Sequence, residues 1–323
     1  MAPGNRKNPQ RAAWSESDYS LVEFLRDFPD DETCLNWLWR TRYAPDGEHA
    51  FCERCETERT FKRYTAKQQR QDWTCTACGL HVHPTAGTIF HKSSTSLHLW
   101  FYAMYLMTST RCGISAKQLE RELGCTYKTA WRMFTLIRNE LMAQDDNEPM
   151  AGEVEMDETY VGGKPRGREI AARSREGLRP MQAGQAAGRA KKTTVFGMVE
   201  RGGHVAAHVV PTNWQAPAFR HIETRVLPEA VVYTDEAAAY GPLAGKGYQH
   251  RRIHHAAKVY VQGDIHTNTI EGFWSLVKRG IGGTHHAVSA KWLQGYLNEY
   301  VWRYNRRGDG RAQFLSLILR AAD

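Results

Sequence analysis

Three acidic residues, far apart in the chain, have oxygens suited to a common task. Asp157 lies within GEVEMDETYVGGK, Asp235 follows the apolar VVYT, and Glu271 opens TIEGFWSLVKRG. Carboxylates gathered at the ends of core elements can hold two hard cations, Mg2+ or Mn2+, which prefer oxygen ligands. Such a pair activates a water or a 3′-hydroxyl on one side of a phosphodiester and stabilises the leaving oxygen on the other. Glu158 and Glu236 directly follow Asp157 and Asp235 and should turn to the opposite strand face, where a solvated or supporting role suits them. Asn268-Thr-Ile-Glu271 also has the form of an N-cap and N3 pair, whose side chains satisfy the free amides of a helix start. Phe273 and Trp274 read as core, with stacking on an extruded base as the alternative. His266 reads as a hydrogen-bonded loop residue or one that positions a ligand.

A second constellation is built of sulfur. Cys52-x-x-Cys55 and Cys75-x-x-Cys78 are separated by 19 residues, a spacing at which two knuckles close a tetrahedron of thiolates around Zn2+. Four sulfurs leave no position for water, so this zinc is expected to be structural. His81 and His83 are expected as surface or capping residues. Of the seven cysteines, Cys34, Cys112 and Cys125 remain as free thiols, in keeping with a reducing compartment.

Elements must carry these residues to one place. Leu21, Phe24, Leu25 and Phe28, then Leu35, Leu38 and Trp39, recur at helical spacing on either side of Pro29 and predict two short helices. Periodicity fades from Pro45 to Pro84, the region of the CxxC pairs. It returns in LHLWFYAMYLMTST, a buried helix, and in ISAKQLERELGCTYKTAWRMFTLIRNEL, where Gly124 separates two helices as in a helix-turn-helix. The second of these should begin near Thr126 and expose Tyr127, Lys128, Thr129 and Arg132 to phosphates and a major groove, unless the pair is an ordinary helical hairpin. After the acidic linker AQDDNEP the alternation turns to strands: EVEMDETYV, then TTVFGMVERGGHVAAHVV with Gly202-Gly203 as a hairpin turn, then VVYT. A helix is expected from Gln215 to Leu227, and others from Thr269 and from Ser289 to Arg307. Residues 163 to 192 read as a basic loop. Strands interleaved with helices give an α/β class.

The formal charge of +8 favours an anionic partner such as nucleic acid. No apolar run approaches a membrane span, and MAPGNRKNPQ lacks the apolar stretch of a signal peptide, so a cytoplasmic location is expected.

WTCTACGLHVHPTAGTIF resembles the zinc ribbons of DNA-processing proteins. HTNTIEGFWSLVKRG, with MDETYVGGK and VVYTDE upstream and YVWRYNRR downstream, resembles the DDE transposases of bacterial insertion sequences. The likeness is greatest to the group that carries an N-terminal zinc ribbon and is allied to eukaryotic Merlin elements. It implies an RNase H-like catalytic domain over 150–310, with Asp157 on its first strand and Asp235 on its fourth. Ahead of it would stand a helical segment over 1–45, a zinc ribbon over 46–90 and a helix-turn-helix region over 91–145. The 35 residues between Asp235 and Glu271 are typical of the class. In this group the third ligand is Asn, His or Glu, so Asn268 and Glu271 both remain open as catalytic residues. Lys278, two helical turns beyond Glu271, and its neighbour Arg279 are implied to contact DNA. The implied partners are terminal inverted repeats, target DNA and further copies of the chain. The alternatives are a related metal-dependent nuclease and a transposase-derived DNA-binding protein without activity.

Overall fold

The computed structural model describes residues 19–64, 72–110, 112–143, 149–162, 192–211, 214–235, 238–252, 267–307 and 313–323. The expected basic loop over 163–192, save its last residue, most of the acidic linker, Glu236 and His266 lie outside them. The chain divides into two compact units, Met1–Ile137 with Arg307–Asp323, and Arg138–Arg306.

The first unit opens with helices α1 (Leu21–Asp27) and α2 (Asp31–Arg42). Each starts where a side chain takes up free amides: Ser20 and Glu23 form a reciprocal capping box, and Asp30 accepts from the Thr33 N–H at 2.7 Å. Strands β1 (His49–Cys52), β2 (Thr57–Tyr64), β3 (Asp72–Cys75) and β4 (His81–Val82) follow as an antiparallel sheet in sequence order. Helix α3 (Leu97–Ser109) is almost wholly buried, as its unbroken apolar sequence predicts. Helices α4 (Ala116–Leu123) and α5 (Tyr127–Leu136) are joined at Gly124, whose φ of +60° lies in the left-handed region that favours glycine. A final helix, α9 (Gln313–Ala322), which sequence reading did not anticipate, packs on α2 and α3. Its Phe314 meets Phe24 at 5.5 Å and Tyr19 at 5.2 Å between ring centroids, and a buried aromatic of this kind contributes roughly 2–3 kcal/mol.

The second unit is a five-stranded sheet covered on both faces. Its strands are β5 (Glu153–Val161), β6 (Thr193–Glu200), β7 (Val205–Val210), β8 (Val231–Thr234) and β9 (Gln249–Arg252), the last not foreseen in the sequence. Their spatial order is β7-β6-β5-β8-β9. The pairs β7–β6 and β6–β5 are antiparallel, whereas β5–β8 and β8–β9 are parallel. Gly202, at a φ of +76°, forms the expected β6–β7 turn.

Helix α6 (Gln215–Arg225) and the 3-10 turn Ala238–Lys246 cover one face, over Val154, Met156, Phe196 and Met198. Helices α7 (Asn268–Gly280) and α8 (Ala290–Asn305) cover the other, over Val161, Val195, Val199 and Val205. Within this layer Arg138 donates through its Nε to Glu299 on α8 at 2.7 Å, a pair sealed from solvent.

Candidate active site

Strand β5 sorts its own acidic residues, because successive side chains leave a strand on opposite faces. Glu155 and Asp157 face α7, while Glu158 faces the 3-10 turn, where the Tyr240 hydroxyl donates to its Oε2 at 3.1 Å. Asp157 pairs with Gly197 across the ladder to β6. A Cβ at Gly197 would land on the six-membered ring of Trp274, so glycine at 197 is what lets α7 approach the sheet. Trp274, only 3% exposed, then donates its indole N–H to Asp157 Oδ2 at 3.1 Å. The residue is core, as expected of it, and its burial removes the alternative of a platform for an extruded base.

Asp235 stands at the end of β8. Glu155 pairs with Tyr233 in the parallel ladder, and Asp157 and Asp235 each follow two residues later along the chain, Asp235 just past the end of β8. Burial, reinforced by the negative charges of Glu158 and Asp235, pushes the Asp157 carboxyl up to about 7. The Tyr240 hydroxyl is held well above its usual range by burial and by the same three carboxylates. Asp157 and Asp235, whose charges repel, are oxygen donors of the kind a divalent cation takes, and such a charge would relieve the repulsion.

Asn268 and Glu271 lie exposed on the first turn of α7. The alternative reading of these two as a capping pair does not hold. The N-cap is Thr267, which makes no side-chain bond to the helix amides and instead gives its hydroxyl to Glu271 Oε1 at 3.2 Å. The free N–H groups of Thr269 and Ile270 go to Glu155 Oε2 at 2.8 and 3.0 Å. Glu155, Trp274, Gly197 and Tyr240 therefore surround the site; of these, sequence reading singled out only Trp274, and for a different role. The one signal for Glu155 was an acidic residue on the same strand face as Asp157. Glu271 and Asp157 are not drawn into a common cluster: among the described residues, only the four cysteines form a group of three or more such ligands within 4.8 Å of one another. Lys278 and Arg279 are exposed in the last turn of α7, and Arg279 Nε donates to the Ser275 carbonyl at 3.3 Å.

The cysteines converge because β1 and β3, which flank β2 on its two edges, each run into a tight knuckle. Cys55 N–H meets the Cys52 carbonyl at 3.2 Å and Gly79 N–H the Cys75 carbonyl at 2.9 Å, with Gly79 at a φ of +73°. Cys52 and Cys78 sulfurs lie 3.5 Å apart. Tetrahedral zinc with bonds near 2.3 Å needs sulfurs about 3.8 Å apart, so the four residues fit the ion. His81 is not drawn in; its Nδ1 contacts Asp72 Oδ2 at 3.0 Å. Trp73, two residues before Cys75, stacks on Trp39 of α2 at 4.7 Å and ties the small sheet to the helices.

In the helical pair, the Thr126 side chain caps α5, and Tyr127, Lys128 and Arg132 are exposed. Lys117 of α4 lies 5.8 Å from the Tyr127 ring, and the Arg132 guanidinium 5.9 Å from the Trp100 ring. Among the described residues, no helix is long and apolar enough to cross a membrane.

Residues 149–305 match the ISXO2-like transposase domain. The chain is 32% identical over 289 residues to an uncharacterized protein in transposable element ISH50 of Halobacterium salinarum, covering 86% of this chain and 92% of that one. It is 30% identical over 97 residues to an uncharacterized transposase-like protein of Haemophilus influenzae, covering 30% of this chain and 77% of the relative. With Asp157 and Asp235 inside the matched domain, and the likeness to the halobacterial protein extending over nearly the whole of both chains, this protein belongs to the ISXO2-like family of insertion-sequence transposases.

Proposed function

We propose that the protein binds the ends of an insertion sequence and catalyses their cleavage and strand transfer at a site built on Asp157, Asp235 and either Asn268 or Glu271. The observation that carries this reading is the parallel ladder of β5 and β8, which pairs Glu155 with Tyr233 and carries Asp157 and Asp235 each two residues further on, close enough for the charge of Asp235 to help push the Asp157 carboxyl up. The strand order, with Asp157 on the first strand of the sheet and Asp235 after the fourth, supports an RNase H-like domain.

Two Mg2+ or Mn2+ ions bound there would polarise the scissile phosphate and ease deprotonation of a water or a 3′-hydroxyl. The residues themselves do the positioning. Trp274 holds one oxygen of Asp157 through its indole N–H, and Asp235 supplies a second carboxylate near it. Asn268 or Glu271, exposed at the start of α7, contributes the third ligand. Lys278 and Arg279 are suited to the backbone of the bound end, while Tyr127, Lys128 and Arg132 on α5 are suited to reading it. The four cysteines hold a structural Zn2+. Two ends must be held together for transfer, so the active form is a homo-oligomer on DNA.

The test compares the wild-type protein with D157A on labelled terminal-repeat DNA in Mn2+. Cleavage and strand-joined products are expected from the wild type, and neither from D157A, with gel-shift binding retained. Cleavage by D157A would overturn the assignment, and hydrolysis without joined products would reduce the activity to that of a nuclease. Parallel assays of N268A and E271A identify the third ligand as the one whose loss abolishes cleavage.

A further inference from the structure

Glu155 is fully buried, yet it is a carboxylate in the middle of an apolar sheet face. Burying such a group is costly unless its lone pairs are taken up, and here both oxygens are engaged. Oε1 accepts from Arg201 Nε at 2.7 Å and from the Thr269 hydroxyl at 3.0 Å. Oε2 accepts from the backbone N–H groups of Thr269 and Ile270 at 2.8 and 3.0 Å. Arg201, from the β6–β7 turn, also bonds Glu153 Oε2 at 2.9 Å and lies 4.3 Å from the ring of Tyr233, so the countercharge is itself fixed. Helix α7 has no cap from its own chain segment, and the amides that a cap would satisfy are the two that Glu155 takes.

We propose that Glu155 is a positioning residue of the active site, an N-cap supplied by the neighbouring strand that fixes the first turn of α7 against β5. The inference rests on the reading of Asp157 and of Asn268 or Glu271 as joint metal holders. Glu155 is two residues from Asp157 on the same strand face, and the amides it binds lie between Asn268 and Glu271. One side chain therefore sets the spacing between the strand that carries one ligand and the helix start that carries another. Arg201 supplies the countercharge, and a charged acceptor makes stronger bonds to the helix amides than a neutral one.

The test uses the full-length protein with Glu155→Gln, which keeps the volume but loses the charge and turns an amide donor toward donors. In metal-free protein, hydrogen exchange at the Thr269 and Ile270 amides is expected to accelerate by roughly tenfold or more, while amides of β6 and α8 keep their protection. In the loaded enzyme, Mn2+ half-saturation and cleavage rate are expected to worsen by about 10- to 100-fold, as for residues that orient metal ligands, with affinity for end DNA unchanged. Thr269→Val removes only the hydroxyl bond and gives a milder change in the same direction if E155Q does not fold. Unchanged exchange at both amides would overturn the proposal, as would a loss of activity that follows the loss of folded protein with Mn2+ half-saturation unaltered. If the wild type cleaves nothing, the functional reading fails on its own, and the exchange measurement still decides whether Glu155 caps α7.

Discussion

Trp274 donates its indole N–H to Asp157 Oδ2 at 3.1 Å, across a gap that a side chain at position 197 would close. The bond ties the helix bearing Asn268 and Glu271 to the strand bearing Asp157. It also stabilises the ionised carboxylate in a setting that otherwise favours the protonated form.

Gly197→Ala should therefore be damaging out of proportion to its size. The new methyl would meet ring atoms of a buried indole rather than the end of a flexible chain, and overpacking of this kind costs about 1–3 kcal/mol. Trp274→Phe fills most of the same space but removes the donor, at a cost of about 1 kcal/mol. Urea unfolding measures both, and cleavage in Mn2+ should fall for each when compared at equal folded fraction. A Gly197→Ala protein as stable and active as the wild type would show that α7 does not pack on β6 at this point.

Zinc removal addresses the other unit. The sheet of β1 to β4 is joined to α2 through the Trp73–Trp39 stack, and the knuckles gather four thiols within 4.8 Å. Without the ion the sulfurs lose the bonds that hold the two knuckles together, and structural zinc sites of this type lose their fold. A strong chelator is expected to release one Zn2+ per chain, to change tryptophan emission as the stack opens, and to abolish binding to end DNA. Cys75→Ser should act in the same way without chelator. Tight binding of end DNA by zinc-free protein would separate the ribbon from recognition.

Much of this architecture was legible because it rests on local rules. The Cys-x-x-Cys spacing, the turn at Gly202, the helix break at Gly124 and the alternation in EVEMDETYV each follow from a few neighbouring residues. The supports around the site were not legible, since each is a contact between distant segments. Glu155 reads as one more acidic residue until Thr269, Ile270 and Arg201 surround it. The alternative of a capping pair between Asn268 and Glu271 does not hold for the same reason, because a carboxylate from β5 takes the amides. Strand β9 was missed because QHRR, exposed along an edge, carries no apolar alternation. Helix α9 has a clear apolar stripe, but its packing against α2 and α3 is a return of the chain to its first unit that no local pattern announces.

The charge state of Asp157 yields a prediction whose sign is fixed. Its ordinary value of 3.8 rises to about 7 in the folded protein, mainly through burial and then through Glu158 and Asp235. Between those values the folded state holds a proton that the unfolded state has released, so stability is greatest at low pH in this window and is lost as pH rises through about 7. A rise of that size sets a ceiling of about 4 kcal/mol, and the partial exposure of Asp157 reduces the expected loss to about 1–3 kcal/mol. Asp157→Asn cannot ionise, so metal-free D157N should be the more stable protein at pH 8 and the two should converge near pH 4. Mn2+ should reverse the order at pH 8 by stabilising the wild type through the same carboxylate. Thermal unfolding of both proteins across this range, with and without Mn2+, provides the measurement. Parallel pH profiles for wild type and D157N would mean that Asp157 is not the strained acid of the cluster, and an equal response to Mn2+ would place the ion elsewhere.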